Sequence, residues 1–229
     1  MKSPYGGVLQ DLLLRDSYKN NELIALASTL PFVFLNERQL CDLELIMNGG
    51  FSPLTGFMGK SDYDSVVSNM RLSDGTLFPI PIYLDISSTV IKNNNIQQGS
   101  KIALRNPQDN EALAIITVSD IYMPDREKEA ESVYGKNYVK HPSIHALFNS
   151  NRDLYIGGDI EAIKIPEKYD FIDSRHSPRT LRNIFTQLGW NNVAAFQTRN
   201  PMHRAHFELT RIAQTKYNAN ILLHPGILN

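Results

Sequence analysis

Cysteine is nearly absent from this chain. Cys41 is the single one in 229 residues, which excludes an internal disulfide framework and any cysteine-based zinc cluster. Long apolar runs are missing too. No stretch is long enough to span a bilayer, and the opening Met-Lys-Ser-Pro-Tyr-Gly-Gly lacks the apolar core of a secretory signal. The expectation is a cytoplasmic protein without a membrane partner. Nor does one sign of charge dominate: 23 Lys and Arg stand against 24 Asp and Glu, for a formal net charge of -1. That balance offers no long-range attraction to nucleic acid or an anionic membrane, although a small anion needs only a local pocket. Repeats and low-complexity segments are also absent. What remains is an ordinary globular composition, 42% hydrophobic, enough for one large domain or two modest ones.

The first two-thirds read as mixed α and β. Asn36 can cap a helix in which Leu40, Leu43 and Met47 recur on one face, and Gly49 and Gly50 can end it. Cys41 follows Leu40 on that helix and is expected to be a packed, unreactive thiol. Phe78 to Leu84 reads as an extended segment at a sheet edge, because Pro79 and Pro81 lack an N–H. Ile102–Leu104, Ala112–Val118 and Tyr155–Lys164 read as strands, and a charged helix is expected near Asp125 to Val133. Short strands at this spacing point to a small barrel or folded sheet, not a doubly wound one. Gly59-Lys60-Ser61 looks like the end of a phosphate-binding loop. The position five residues before Gly59 is Leu54 where glycine is required, so a polar turn is expected instead. His141 and His145, beside Pro142, have no second polar motif near them and read as structural or solvated.

The pattern changes near Pro166. Ser177-Pro178 starts a helix with serine as cap and proline at the first helical position. Leu181, Phe185 and Leu188 follow at helical spacing, and Gly189 can end it. Val193–Phe196 then reads as a strand, Gln197–Met202 as a polar connection, about His203 to Tyr217 as a helix, and Asn220–Leu223 as a second strand. That order is one βαβ unit, hence a parallel sheet.

Chemistry concentrates in Phe196-Gln197-Thr198-Arg199-Asn200-Pro201-Met202-His203-Arg204-Ala205-His206. This segment lies at the carboxyl end of a parallel strand, where ligands bind in open α/β sheets. It also opens a helix, whose free N–H groups and positive dipole end favour an anion. Arg199 can fork onto a tetrahedral oxyanion, with Gln197 and Asn200 as neutral donors. His203 and His206, three apart, share a helix face and can point at one bound group. Ala205, Leu209 and Ile212 form a different stripe able to face the core, which leaves the histidines outside the apolar interior. Two histidines at this spacing can also be merely exposed polar residues, or metal ligands, but no cysteine or carboxylate nearby completes a metal set. The combination of strand, turn, histidine pair and helix start favours an anion or nucleotide site. His224 ends the second strand on the same sheet edge as Gln197, and is either a supporting residue of the site or part of a turn.

Gln197 through His206, Q-T-R-N-P-M-H-R-A-H, resembles the signature of ATP sulfurylases, within the nucleotidyltransferases that begin a helix with H-x-G-H or H-x-x-H. The segments Gly6-Gly7-Val8-Leu9-Gln10-Asp11-Leu12, Arg38 to Leu45, Asn48 to Phe57 and Asp74-Gly75-Thr76-Leu77 resemble the fungal branch of that family. The resemblance implies an α+β / α/β protein. A PUA-like β-rich domain over residues 1–169 would precede the first part of a Rossmann-like nucleotidyltransferase domain over residues 170–229. It implies a reaction in which sulfate attacks the α-phosphorus of ATP to give adenosine 5′-phosphosulfate and pyrophosphate. ATP and sulfate are then the small-molecule partners, Mg2+ comes as MgATP, and no prosthetic group or nucleic acid is involved. By the same resemblance Gln197 and Arg199 contact sulfate, and Gln197, Thr198, Arg199 and Asn200 contact ATP. Thr198, Arg199 and Asn200 form the active site, and His203 and His206 stabilise charge on the phosphates.

Three departures accompany the resemblance. The family continues into a second nucleotide motif of the G-R-D-H type and into a C-terminal region that joins fungal members as homo-oligomers; neither is in these residues. After Leu223-His224-Pro225 the family runs towards Thr-Lys-Pro-Gly, whereas Gly226-Ile227-Leu228-Asn229 stands here. Phe207 occupies a position where a charged residue is usual. The expectation is a C-terminally truncated member, inactive by itself. The alternatives are a non-catalytic PUA-like interaction module, or an RNA-binding protein, which the neutral charge disfavours.

Overall fold

A computed structural model describes residues 2–13, 16–167 and 170–226. The chain divides into two compact units, Tyr5–Arg175 and a second made of residues 1–4 with His176–Asn229. The sequence-expected boundary after residue 169 falls at Tyr169, outside the described residues.

The larger unit is built on a six-stranded mixed sheet. Its elements are α1 (Ser17–Thr29), β1 (Phe32–Phe34), α2 (Glu37–Met47), β2 (Gly56–Phe57), α3 (Lys60–Asn69), β3 (Leu84–Ile86), α4 (Ser88–Asn93), β4 (Lys101–Arg105), β5 (Ala112–Tyr122), α5 (Arg126–Tyr134), α6 (Pro142–Asn149) and β6 (Leu154–Ala162). The strands run in the order β1-β4-β5-β6-β2, with β3 also on β6. Among the described residues of this unit β1 and β4 pair in parallel, and its other ladders are antiparallel. In β4 and β5 the consecutive residues Ile102, Ala103, Leu104 and Leu113 to Ile116 are fully buried. Continuous burial means that both sheet faces are covered. Ala27 of α1 packs with Ala103 and Ile115 on one side, and the main core with Leu43, Ile46 and Val66 lies on the other. Gly157 permits the approach of the β2–α3 connection, since a Cβ there would meet the Gly59 Cα at 2.4 Å.

The start of α2 follows its sequence signal. Asn36 and Gln39 form a reciprocal capping box, and Gly49 takes φ of 84° beyond the helix end. Gln39 is fully buried, and its Nε2 also donates to the Asp85 carboxylate at 2.9 Å.

Three local expectations are corrected. Cys41 is exposed; one residue and about 100° round the helix from half-buried Leu40, it lies nearly opposite the buried Leu43, Ile46 and Met47 stripe. Gly59-Lys60-Ser61 is no turn but the start of α3, with Gly59 as cap. The Lys60 N–H donates to Asp120 Oδ2 at 2.8 Å, so a carboxylate of the protein holds that helix end. Of Phe78 to Leu84 only Leu84 enters a strand, β3, because the two prolines keep the preceding residues out of the ladder. His141 caps α6, accepting the Ser143 N–H on Nδ1 at 3.3 Å with its ring against Tyr134, while His145 is exposed.

Glu129 of α5 is buried among tyrosines. It accepts hydrogen bonds from Tyr63 at 2.6 Å and Tyr155 at 3.2 Å, and Tyr155 stacks on Tyr83, whose ring carries the Arg38 guanidinium. Burial raises the Glu129 carboxyl above its ordinary range, against the lowering effect of the tyrosine hydroxyls and Arg38. A carboxyl raised on folding adds stability below its unfolded pKa of about 4.3, and that stability is lost as pH rises through the folded value. Glu129→Gln keeps an acceptor for Tyr63 and removes the titration. The variant is expected to match wild type at acidic pH and to exceed it in Tm at mildly alkaline pH. Identical Tm–pH curves for the two proteins would refute this.

Candidate active site

The second unit comprises α7 (Pro178–Gln187), β7 (Val193–Thr198), α8 (Arg204–Tyr217) and β8 (Asn220–Pro225). Ser177 caps α7, accepting the Thr180 N–H at 3.2 Å, with Pro178 in the first helical position. β7 and β8 pair in parallel, with Val193 opposite Asn220 and Thr198 opposite Pro225. The helix between them completes the βαβ unit.

β7 runs two residues further than its apolar run, so Gln197 and Thr198 belong to the strand and not to the connection expected from their polarity. The ladder to His224 and Pro225 holds them there. The turn that follows is closed by its own side chain. Thr198 Oγ1 donates to the Asn200 carbonyl at 2.7 Å and accepts the Asn200 N–H at 3.2 Å. The Gly226 N–H donates to the Thr198 carbonyl at 2.7 Å, tying the end of β8 to the end of β7. Gly226 also lies beside Arg199, where a Cβ would meet Arg199 Cγ at 3.1 Å.

Arg199 and Asn200 are exposed and Thr198 is half-buried. They line an open depression of about 340 Å3 together with Met202, Leu223 and Gly226. A second depression of about 350 Å3 is walled by Gln197, Thr198 and Arg199. His203 and His206 line neither. His203 is the N-cap of α8, and among the described residues no side chain caps the first turn, so that helix end keeps N–H donors for a ligand. The two imidazole rings lie 3.7 Å apart between centroids. The turn and the histidine pair therefore flank the same strand end.

The apolar stripe of α8 faces the other way from the expectation. Leu209 and Ile212 are 58% and 43% exposed, and Ala205 is exposed as well. His206, Thr210 and Ala213, spaced four and three apart, are the half-buried face. With two strands under the helix, the Leu209 side has no neighbour to cover it among the described residues. His206 is thus drawn inward, its ring 5.4 Å from Phe196 and its Nδ1 shielded without a hydrogen-bond partner among the described residues.

Electrostatics were hidden by the near-zero total. Residues 176–229 carry Arg179, Arg182, Arg199, Arg204, Arg211 and Lys216 against Glu208 alone, a formal +5, which leaves -6 for residues 1–175. Glu208 is paired with Arg211 at 2.7 Å. The site therefore sits in a cationic unit without a free carboxylate, an arrangement that concentrates small anions. Splitting the charge by unit would have revealed this from the sequence. Among the described residues no group of three or more His, Cys, Asp or Glu could hold a metal ion, and no helix is long and apolar enough to cross a membrane.

A family model described as PUA-like domain matches residues 2–165, and one described as ATP-sulfurylase matches residues 173–228. Among curated proteins, the sulfate adenylyltransferase of Mycosarcoma maydis is 52% identical over 98% of this chain and 39% of its own length. That of Aspergillus terreus is 55% identical over the same shares. Among solved structures, the hexameric APS kinase from Thiobacillus denitrificans superposes with a TM-score of 0.77 at 32% identity, over 97% of this chain and 39% of that one. Residues 2–165 accordingly belong to the PUA-like domain family, residues 173–228 match the ATP-sulfurylase family, and the chain spans 39% of the length of the curated relatives it matches.

Proposed function

We propose that these residues serve a sulfate adenylyltransferase. A sulfate oxygen attacks the α-phosphorus of ATP in line, the bond from that phosphorus to the bridging oxygen breaks, and the electron pair leaves with pyrophosphate. The observation that carries this reading is the strand end of β7, with its Arg199 turn and contacting His203–His206 pair, inside the cationic segment that matches ATP-sulfurylase. Gln197 and Arg199 hold sulfate. Gln197, Thr198, Arg199 and Asn200 line the nucleotide, whose phosphates bring Mg2+ as part of the substrate. His203 and His206 stabilise the charge that moves onto the departing phosphates. Positioning and charge stabilisation suffice for such a displacement, so no covalent nucleophile is needed. A kinase reading, raised by the likeness to the solved APS kinase, lacks support within residues 1–229: the one Gly-Lys-Ser has Leu54 where a phosphate-binding loop requires glycine. The protein works in the cytoplasm as a homo-oligomer. The full-length gene product is expected to release pyrophosphate only when ATP and sulfate are both present; release independent of sulfate would contradict the reading.

The same reading assigns residues 1–169 to the PUA-like domain and 170–229 to the catalytic domain. The family matches ending at 165 and starting at 173, and the division of compact units at Arg175, support it. Limited proteolysis of the 229-residue polypeptide should trim the part after this boundary and leave a stable N-terminal core. Equal resistance along the whole chain would sink the assignment.

A further inference from the structure

Gln197 does not stand alone at the end of β7. The parallel register sets it directly opposite His224 of β8. Paired residues of parallel neighbours project from the same sheet face, and the strands lie about 4.8 Å apart. One tetrahedral oxyanion bridges such a gap. Both residues are exposed, and neither side chain has a hydrogen-bond partner among the described residues. The position of His224 is held by the following turn, because the Gly226 N–H donates to Thr198 and Gly226 packs on Arg199. The strand end bearing His224 is therefore tied to the loop bearing the arginine fork. No acidic residue of this unit competes for the imidazole N–H, since Glu208 is its single carboxylate side chain and is occupied by Arg211. On the opposite face Phe196 pairs with Leu223, and Phe196 meets His206. The Gln197–His224 pair and the His203–His206 pair thus serve different faces of the same strand end.

We propose that His224 is a third side-chain donor of the oxyanion subsite, contacting sulfate beside Gln197 and Arg199 while His203 and His206 act on the phosphates. This rests on the sulfate adenylyltransferase reading and divides its site between two sheet faces. A dianion with four oxygens accepts more donors than one amide and one guanidinium supply, and an imidazole N–H across the ladder adds one from a fixed direction.

The test uses the full-length gene product and inorganic sulfate. His224→Ala should raise the KM for sulfate roughly tenfold or more while leaving the KM for ATP within about twofold. His224→Asn, which keeps an N–H donor, should recover most of the loss; a residue that merely packs would not be rescued in this way. A second readout is independent of turnover: sulfate should raise the Tm of wild type and of His224→Asn, and raise it less in His224→Ala. Unchanged sulfate KM in His224→Ala, an equal rise in both KM values, or identical sulfate-induced Tm shifts would overturn the proposal. Absence of any sulfate-induced shift in wild type would overturn it as well. Loss of sulfate-dependent turnover in the wild-type protein would instead strike at the underlying reading, with the Tm comparison still deciding whether His224 meets the anion.

Discussion

His203→Ala and His206→Ala, each in the full-length gene product, are expected to lower turnover by about two to three orders of magnitude while leaving ATP binding nearly intact. The two rings touch, 3.7 Å between centroids, at a helix start whose first turn has no side-chain cap among the described residues. On the proposed reading these rings and the free N–H groups of α8 act together on the phosphates. On that reading, charge grows on the phosphates only as the bond to pyrophosphate lengthens, so the loss should fall on kcat and not on the ground state. Because the rings act as a unit, the double variant should lose less than the product of the single losses. Arg199→Ala differs in kind: on the same reading it removes the proposed sulfate fork and should raise the sulfate KM along with lowering kcat. Near-normal turnover in both histidine variants would remove them from the mechanism.

A polypeptide of residues 1–229 alone is expected to show neither measurable turnover nor saturable ATP binding in the micromolar range. Its second unit holds, among the described residues, a two-stranded parallel ladder, and two strands are marginal in water. Ala219 is its one buried apolar residue among those described, while Leu209, Ile212 and Leu223 are exposed. Open strand edges and uncovered apolar side chains favour fraying and sticking. Catalysis needs groups held within about 0.5 Å of productive geometry, which such a ladder cannot enforce. Titration calorimetry with MgATP and a pyrophosphate-release assay check this. Robust turnover by the purified 229-residue polypeptide would show that Gln197 to His224 need no further support.

Local signals carried most of what could be read in advance. The capping pair Asn36 and Gln39, the Ser177-Pro178 start of α7 and the apolar runs of β4, β5 and β6 each depend on a few adjacent residues. The structure has them where those residues stand. The segment from Gln197 to His206 was legible for the same reason, being contiguous and polar at the end of an apolar strand. What escaped depends on distant partners. β1 is three residues long and exists because β4 accepts it in parallel. α3 begins at a glycine that offers no capping side chain. Cys41 and the Leu209 stripe were placed by their neighbours in sequence, whereas their exposure depends on what packs against each helix face. His224 was legible on the same sheet edge as Gln197, but their direct pairing needs the register of two strands joined by a helix. The cationic character of residues 176–229 was masked by an acidic remainder.

Transfer of radiolabelled sulfate to nucleotide tests the role of the β7 strand end most directly. With ATP and Mg2+, the wild-type full-length protein should convert labelled sulfate to adenosine 5′-phosphosulfate, and Arg199→Ala should not do so at any comparable rate. Labelled product formed equally well by Arg199→Ala, or no labelled nucleotide from the wild-type protein, would contradict the assignment of this strand end as the site of sulfate activation.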